Sequence, residues 1–314
     1  MSLALICMSH SPLLSHADLA PDVAEEVASA FAEARAFADE FDPEVIVVFA
    51  PDHYNGFFYD LMPAYCIGLA ARGIGDFDTT LGPLNVPREL AQACAAAVLE
   101  QDVDVAVSLD MVVDHGAVQP LEILFGSPSA HPVIPVFVNS AAPPFAPMRR
   151  VRQLGSTLGR YLAGLDQRVL LIGSGGLSHD PPVPQLTGAT PEVERQLIAN
   201  RNPAPEARAA REQRVISAGA AFAAGNAEFH DLNPEWDAEV LNALGSANFD
   251  AIERYHNDEI VALAGHSAHE IRTWVAAYAA LAAAGGYSVS YRYYRPIKEL
   301  IAGFAVTTAT SISG

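Results

Sequence analysis

The tightest constraint on the fold is a pattern that occurs three times: an apolar run of strand length that stops at a histidine flanked by proline. Leu3–Met8 leads to His10, Ser11 and Pro12; Val45–Ala50 leads to Pro51, Asp52 and His53; Val169–Ile172 runs through Gly173–Gly176 to Ser178, His179, Asp180, Pro181 and Pro182. Short, uniformly apolar runs rich in Val, Ile and Leu suit strands buried on both faces of a sheet. Proline lacks an amide donor and pushes the residue before it out of helical space, so regular structure is cut short where each histidine stands. One strand-end histidine is ordinarily a hydrogen-bonding turn residue. Three on one chain predict a shared site at strand C-terminal ends, where open α/β sheets bind their ligands.

Ala-rich segments alternate with the Val/Ile/Leu runs, which predicts an α/β fold rather than disorder or an all-β sandwich. No internal repeat or separable linker divides the chain, so residues 1–314 are read as one domain. Eighteen Lys and Arg against 37 Asp and Glu leave a net charge of −19. A field of that sign repels a phosphate backbone and argues against nucleic acid as a partner. It also opposes an anionic small molecule, so a substrate carboxylate would need a local Arg or Lys. Cys7, Cys66 and Cys94 lie in apolar surroundings without a CxxC spacing. That predicts neither a disulfide framework nor structural zinc, and fits a reducing cytoplasm. The N-terminus has no basic leader, and no window reaches the ~18 consecutive apolar residues of a membrane helix. The expectation is a soluble, cytoplasmic protein with no membrane partner.

Ala20–Phe41 alternates Ala, Val and Phe with acidic residues at helical spacing, so the first two runs read as a β-α-β unit. Residues 54–88, rich in Gly, Pro and aromatics, read as a long ordered excursion with a strand near Ala64–Gly68. A helix over Arg88–Gln101, a short strand at Val103–Leu109 and an amphipathic helix at Ala117–Phe125 follow, with His115 at or just before that helix's N-terminus. His131–Asn139 reads as a strand that two prolines push toward an edge or an irregular course. After the Pro-rich Ala141–Pro147, Met148–Leu165 is expected to be helical. Residues 181–214 read as a surface loop or lid with some helix, and 215–283 as mostly helical, including one long helix at Ala264–Ala284. Tyr287–Tyr294 and Leu300–Thr308 close the chain as strands. The whole predicts a central mixed, mostly parallel sheet flanked by helices.

Two neutral imidazoles and a carboxylate on one face of a metal leave three positions open, the arrangement by which non-haem Fe(II) takes both an organic substrate and O2. His10 and His53 are the natural pair, because they follow the first two strands of a β-α-β unit and neighbouring strands run about 4.8 Å apart. The same residue types allow a zinc- or manganese-dependent hydrolase, and a non-catalytic binding protein is the third reading. Gly173–Gly176 has neither GxGxxG nor a following Lys, so it is not read as a nucleotide loop.

Met8-Ser-His10-Ser-Pro12, Pro51-Asp-His53, Asp114-His115-Gly116, Gly175-Gly-Leu-Ser-His179, and Ala264-Gly265 followed by Glu270 and Trp274 together resemble the class III extradiol ring-cleaving dioxygenases, relatives of the protocatechuate 4,5-dioxygenase β subunit. The resemblance covers most of the chain. It implies cleavage of a catechol by O2 at an Fe(II) held by His10, His53 and Glu270. Glu239 and Glu259 are also available as the carboxylate, and His266, one helical turn from Glu270, would support it from the same face. The resemblance further implies His179 as the base toward a catechol hydroxyl and His115 as the acid on the oxygen side, since an imidazole titrating near ~6.5 both takes and returns a proton. Their structural alternatives are a helix cap for His115 and a loop hydrogen bond to Asp180 for His179. Arg292, Arg295, Lys298 and the arginines of 195–214 are candidates to meet a substrate carboxylate. The exposed-looking Tyr291–Arg295 cluster and the family resemblance imply a homo-oligomer.

Overall fold

In the computed structural model, which describes residues 3–227 and 229–312, each of the three apolar runs becomes a fully buried strand. The first half of the chain comprises β1 (Leu3–Met8), α1 (Pro21–Phe41), β2 (Val45–Ala50), β3 (Tyr65–Gly68), β4 (Ala71–Ile74), β5 (Leu81–Pro83), α2 (Arg88–Leu99), β6 (Ala106–Ser108), β7 (Met111–Val113), α3 (His115–Phe125) and β8 (Val133–Val138). The second half continues with α4 (Met148–Ala163), β9 (Val169–Ser174), α5 (Pro191–Ala199), α6 (Pro205–Ala223), α7 (Pro234–Gly245), α8 (Phe249–Glu253), α9 (Asn257–Ala264), α10 (Ile271–Ala282), β10 (Tyr287–Ile297) and β11 (Ala302–Ser311).

Among the described residues an eight-stranded sheet runs β10-β11-β1-β9-β2-β8-β3-β6, and β4 and β5 of the excursion after β2 join β7 in a smaller sheet of order β5-β4-β7. The centre of the large sheet, β1, β9, β2 and β8, is parallel. Its flanks are antiparallel at β1 to β11, β11 to β10 and β8 to β3. Side chains of β1 alternate between two cores, with Leu3, Leu5 and Cys7 on one face and Ala4, Ile6 and Met8 on the other. This is why its sequence is apolar throughout rather than alternating. Helices α2, α4, α7, α8, α9 and α10 cover the first face, and α1, α3 and the end of α6 the second. Helix α1 opens with Pro21 in its first turn and presents Val23, Val27, Ala30, Ala34 and Ala38 as a buried stripe. Helix α10 is buried on all sides, and Trp274 and Tyr278 are among the largest fully buried side chains. Burial of one such side chain stabilises by roughly 1.5–3 kcal/mol or more.

Four expectations change. β1 and β2 are not neighbours, because β9 pairs with both. β8 lies inside the sheet rather than at its edge. Pro135 is tolerated there because pairing with β3 ends at Val136, so no ladder bond to β3 is lost at the proline. The long helix expected over Ala264–Ala284 is interrupted. Gly265 adopts φ +95°, a 3-10 turn spans His266–Glu270, and α10 starts afresh at Ile271. A Cβ on Gly265 would stand 2.5 Å from the carbonyl oxygen of His179, so the break is enforced by close approach as well as by φ. The lid over 181–214 is also more helical than a loop, since α5 and α6 occupy most of it and α6 runs on to Ala223.

Candidate active site

His10 lies two residues beyond β1 and His53 three beyond β2. Two strand spacings put those strand ends about 10 Å apart. The rings nevertheless approach to 5.5 Å between centroids, because both segments turn inward across the end of β9. His115, the first residue of α3, completes the group, 5.3 Å from His10 and 4.6 Å from His53. His179 enters from the loop after β9, and Glu270 from the end of the 3-10 turn, directly at the N-terminus of α10. All five are buried.

Each imidazole is held through its Nδ1, which leaves its Nε2 for the site. His10 Nδ1 lies 2.9 Å from Ser174 Oγ. That hydroxyl gives its own proton to the Gly116 carbonyl at 2.5 Å, so it must accept from His10. The His10 proton is therefore on Nδ1, and the Nε2 lone pair is free. His53 Nδ1 donates to Asp114 Oδ2 at 3.0 Å, His115 Nδ1 to Asp76 Oδ2 at 2.6 Å, and His179 Nδ1 to the Leu177 carbonyl at 3.1 Å. Asp114 is also the N-cap of α3, accepting from Gly116 N, and it takes the His53 and Asn55 N–H groups as well. Asp76 is doubly engaged, because its other oxygen accepts the backbone N–H of His115.

The Glu270 carboxylate faces these nitrogens. Oε1 is 3.0 Å from His53 Nε2 and 3.3 Å from His179 Nε2, while Oε2 is 3.5 Å from His10 Nε2 and accepts from Gly176 N at 3.1 Å. This geometry explains the Gly175-Gly176 pair. A Cβ on Gly175 would lie 2.9 Å from Glu270, and one on Gly176 would lie 2.8 Å from the His179 ring. The glycines make room for the carboxylate and the imidazole.

The electrostatics follow from burial and pairing. Burial drives His10 down to about 3, so it stays a neutral imidazole. Burial also disfavours a charged His53, but Asp114 and then Glu270 outweigh it and hold that imidazole well above its ordinary value. His179 is likewise raised by Glu270 against its own burial. Burial penalises the Glu270 carboxylate, yet His179 and His10 hold it well below the usual range, and its place at a helix N-terminus favours the same charge.

The Nε2 atoms of His10 and His53 and the Glu270 carboxylate converge in a buried site, a set that could hold a metal cation in the two-histidine, one-carboxylate manner once His53 Nε2 gives up its proton. The ring nitrogens of His10, His53 and His115 also lie within 4.8 Å of one another. His115 is nevertheless poorly aimed as a ligand. Its ring stacks on His53 at an interplanar angle of 17°, so their in-plane lone pairs run side by side rather than meeting at one point. Asp76, Asp114 and His115 form a second close group, but both carboxylates are spent on N–H donors. They orient the imidazoles.

The other candidates fall away from the site. Glu239 accepts from Tyr255 and Glu259 caps α9 through His256 N. His266 is half-exposed and pairs with Asp180 rather than supporting Glu270, because the break at Gly265 removes the common helix face. Asp180 thus binds His266 and not His179. Arg292 donates to Asn242, Arg295 pairs with Asp22 and Glu26, and Lys298 lies near Asp231. Tyr293 and Tyr294 are partly buried and donate to Glu26 and Asp237, so the Tyr291–Arg295 cluster is largely engaged within the chain. Nothing in the local sequence marks Asp76 or Ser174 for a role at the site. Asp114 carried a signal, an N-cap residue directly before a histidine at a helix start.

His10, His53, His115, His179 and Glu270 line one cavity that opens to solvent, walled by Leu13, Phe77, Val183, Val215, Leu300 and Ile301. Residues 4–305 match the family model described as the catalytic LigB subunit of aromatic ring-opening dioxygenase. The chain belongs to this family. It is 56% identical over 309 residues, 98% of each chain, to a protein of Rhodococcus globerulus named 2,3-dihydroxyphenylpropionate/2,3-dihydroxicinnamic acid 1,2-dioxygenase. It is 57% identical over 310 residues, again 98% of each chain, to the protein of that name from Rhodococcus rhodochrous. The counterpart from Paraburkholderia xenovorans (strain LB400) is 55% identical over 301 residues, 96% of this chain and 95% of its own. The LigB match takes in every residue of the cavity described above, from both strand-end histidines to Glu270. Among the described residues no helix is long and apolar enough to cross a membrane.

Proposed function

We propose that this member of the LigB family is an Fe(II)-dependent extradiol dioxygenase acting on 3-(2,3-dihydroxyphenyl)propionate and 2,3-dihydroxycinnamate. O2 opens the ring beside the diol to a 2-hydroxy-6-oxonona-2,4-diene-1,9-dioate type of product. The observation that carries the proposal is the convergence of His10 Nε2, His53 Nε2 and the Glu270 carboxylate in an apolar cavity, each imidazole fixed through its far nitrogen. His10, His53 and Glu270 would hold the iron. Bound there, Fe(II) would supply binding of both a catecholate and O2 and a route for electrons between them.

The rest of the chemistry belongs to the chain. His179 Nε2 takes a proton from a catechol hydroxyl, and Glu270 beside it stabilises the resulting imidazolium. His115 Nε2 returns a proton on the oxygen side, with Asp76 at its Nδ1 in the orienting role that a carboxylate has in a catalytic triad. Leu13, Phe77, Val215 and Ile301 keep water away from the reacting ring. Both oxygen atoms end in the product, so no external reductant enters.

The test is anaerobic loading with Fe(II), then a panel of catechols with and without acidic side chains, read as a yellow ring-fission product. H179Q and H115Q are expected to keep their iron and lose turnover; near-normal kcat in either sinks its assigned role. The family match argues against a hydrolase and against a non-catalytic binding protein. A homo-oligomer and a reducing, cytoplasmic setting remain part of this proposal. Exposed Leu81, Leu99, Val107 and Leu109 support the first, and three buried unpaired cysteines the second.

A further inference from the structure

The cavity has a one-sided charge distribution. Besides the histidines, Glu270 and Ser11, its lining is apolar or proline, and among the described residues it contains one permanent cation, Arg211 of α6. The neighbouring cations are engaged or point elsewhere: Arg201 pairs with Asp60, Arg208 donates to the Ile74 carbonyl, and Arg195 and Arg214 are exposed.

Arg211 is tied differently. It donates to the carbonyl of His53, to that of Tyr54 at 3.5 Å and to Asn55 Oδ1 at 3.4 Å. All three acceptors are neutral, so its charge has no carboxylate partner among the described residues, and these bonds leave part of a five-donor fork uncommitted. A half-buried guanidinium facing an apolar cavity is an anion site. Its reach is set by one residue: His53 offers its imidazole to Glu270 and its carbonyl to Arg211. The span from His53 Nε2 to the guanidinium is therefore at most about one histidine residue plus a hydrogen bond, a length that a catechol ring with a three-carbon side chain can cover.

We infer that Arg211 binds the side-chain carboxylate of the substrate and sets the preference for acidic catechols, an inference that rests on the ring-cleavage reading above. The guanidinium overcomes locally the repulsion that a net charge of −19 imposes on an anionic substrate. The competing account makes Arg211 only a clasp that fastens α6 to the loop after β2.

The two accounts separate in the Fe(II)-loaded enzyme. Wild type, R211M and R211K are compared on 3-(2,3-dihydroxyphenyl)propionate and 3-propylcatechol, which matches the chain length without the charge. The ratio of kcat/KM for acid over neutral substrate is expected to fall about 10- to 100-fold in R211M, through KM for the acid, as for loss of a charge-assisted hydrogen bond. R211K keeps the charge without the fork and falls between; it carries the comparison if R211M does not fold. An equal fall on both substrates, or an unchanged ratio, overturns the assignment and leaves the clasp. Wild type that cleaves both catechols without preferring the acid also overturns it while leaving ring cleavage intact. Wild type that cleaves neither overturns the functional reading and this inference with it.

Discussion

Replacing Asp114 with Asn tests whether the hydrogen-bonding shell behind the histidines tunes the site. Asp114 is fully buried and accepts four hydrogen bonds: Oδ2 takes His53 N at 2.8 Å, His53 Nδ1 at 3.0 Å and Asn55 Nδ2 at 2.9 Å, and Oδ1 takes Gly116 N at 3.0 Å. An amide fills the same volume but has one oxygen. With that oxygen toward His53, its NH2 meets the Gly116 N–H head to head; flipped, it meets three donors. The first arrangement is the cheaper. It leaves one buried donor pair unsatisfied, about 1–3 kcal/mol of stability. It also replaces a carboxylate behind His53 by a neutral carbonyl, roughly halving that hydrogen bond and making Nε2 a poorer donor to metal. D114N is therefore expected to bind Fe(II) about 10- to 100-fold more weakly. Anaerobic Fe(II) titration against a competing chelator reads the affinity, and turnover at saturating iron separates lost metal from lost chemistry. Activity should recover substantially once iron is in excess. D114N with wild-type iron affinity would refute the claim that Asp114 acts on the site through His53.

Two further outcomes follow from the same geometry. Gly176→Ala places a methyl 2.8 Å from the His179 ring and should displace the imidazole, lowering kcat by up to about 10²-fold with iron content retained, as measured by metal analysis beside steady-state rates; unchanged kcat would show that His179 tolerates the shift. Exposure to air should inactivate the enzyme, Fe(II) with ascorbate should restore it, and zinc-loaded protein should be inactive; zinc activity equal to that of ferrous iron is incompatible with the proposed mechanism.

What the sequence determined by itself was local. Leu3–Met8, Val45–Ala50 and the run at Val169 are apolar at every position because both faces of the sheet are covered, and period and length alone identify such strands. The prolines and glycines behind them locate the turns, so His10, His53 and His179 were legible as strand-end residues, and Asp114-His115-Gly116 as a helix start. Tertiary structure decided what these residues meet. β9 lies between β1 and β2 because strand order depends on contacts between distant segments, and uniformly apolar strands look alike to a local pattern. In sequence Pro135 signals an edge strand, since sequence does not reveal where the pairing of β3 ends. Gly265 breaks the Ala-rich helix because the backbone of His179 occupies the space a Cβ would need, and that break turns Glu270 toward the imidazoles and His266 away. Ser174, Asp76 and Arg211 acquire their places only once segments more than 150, nearly 40 and more than 150 residues away, respectively, fold against them, as the pairs Ser174–His10, Asp76–His115 and Arg211–His53 record. Hydrophobic periodicity and turn chemistry act over a few residues, whereas convergence of donors on one point is a property of the packed chain.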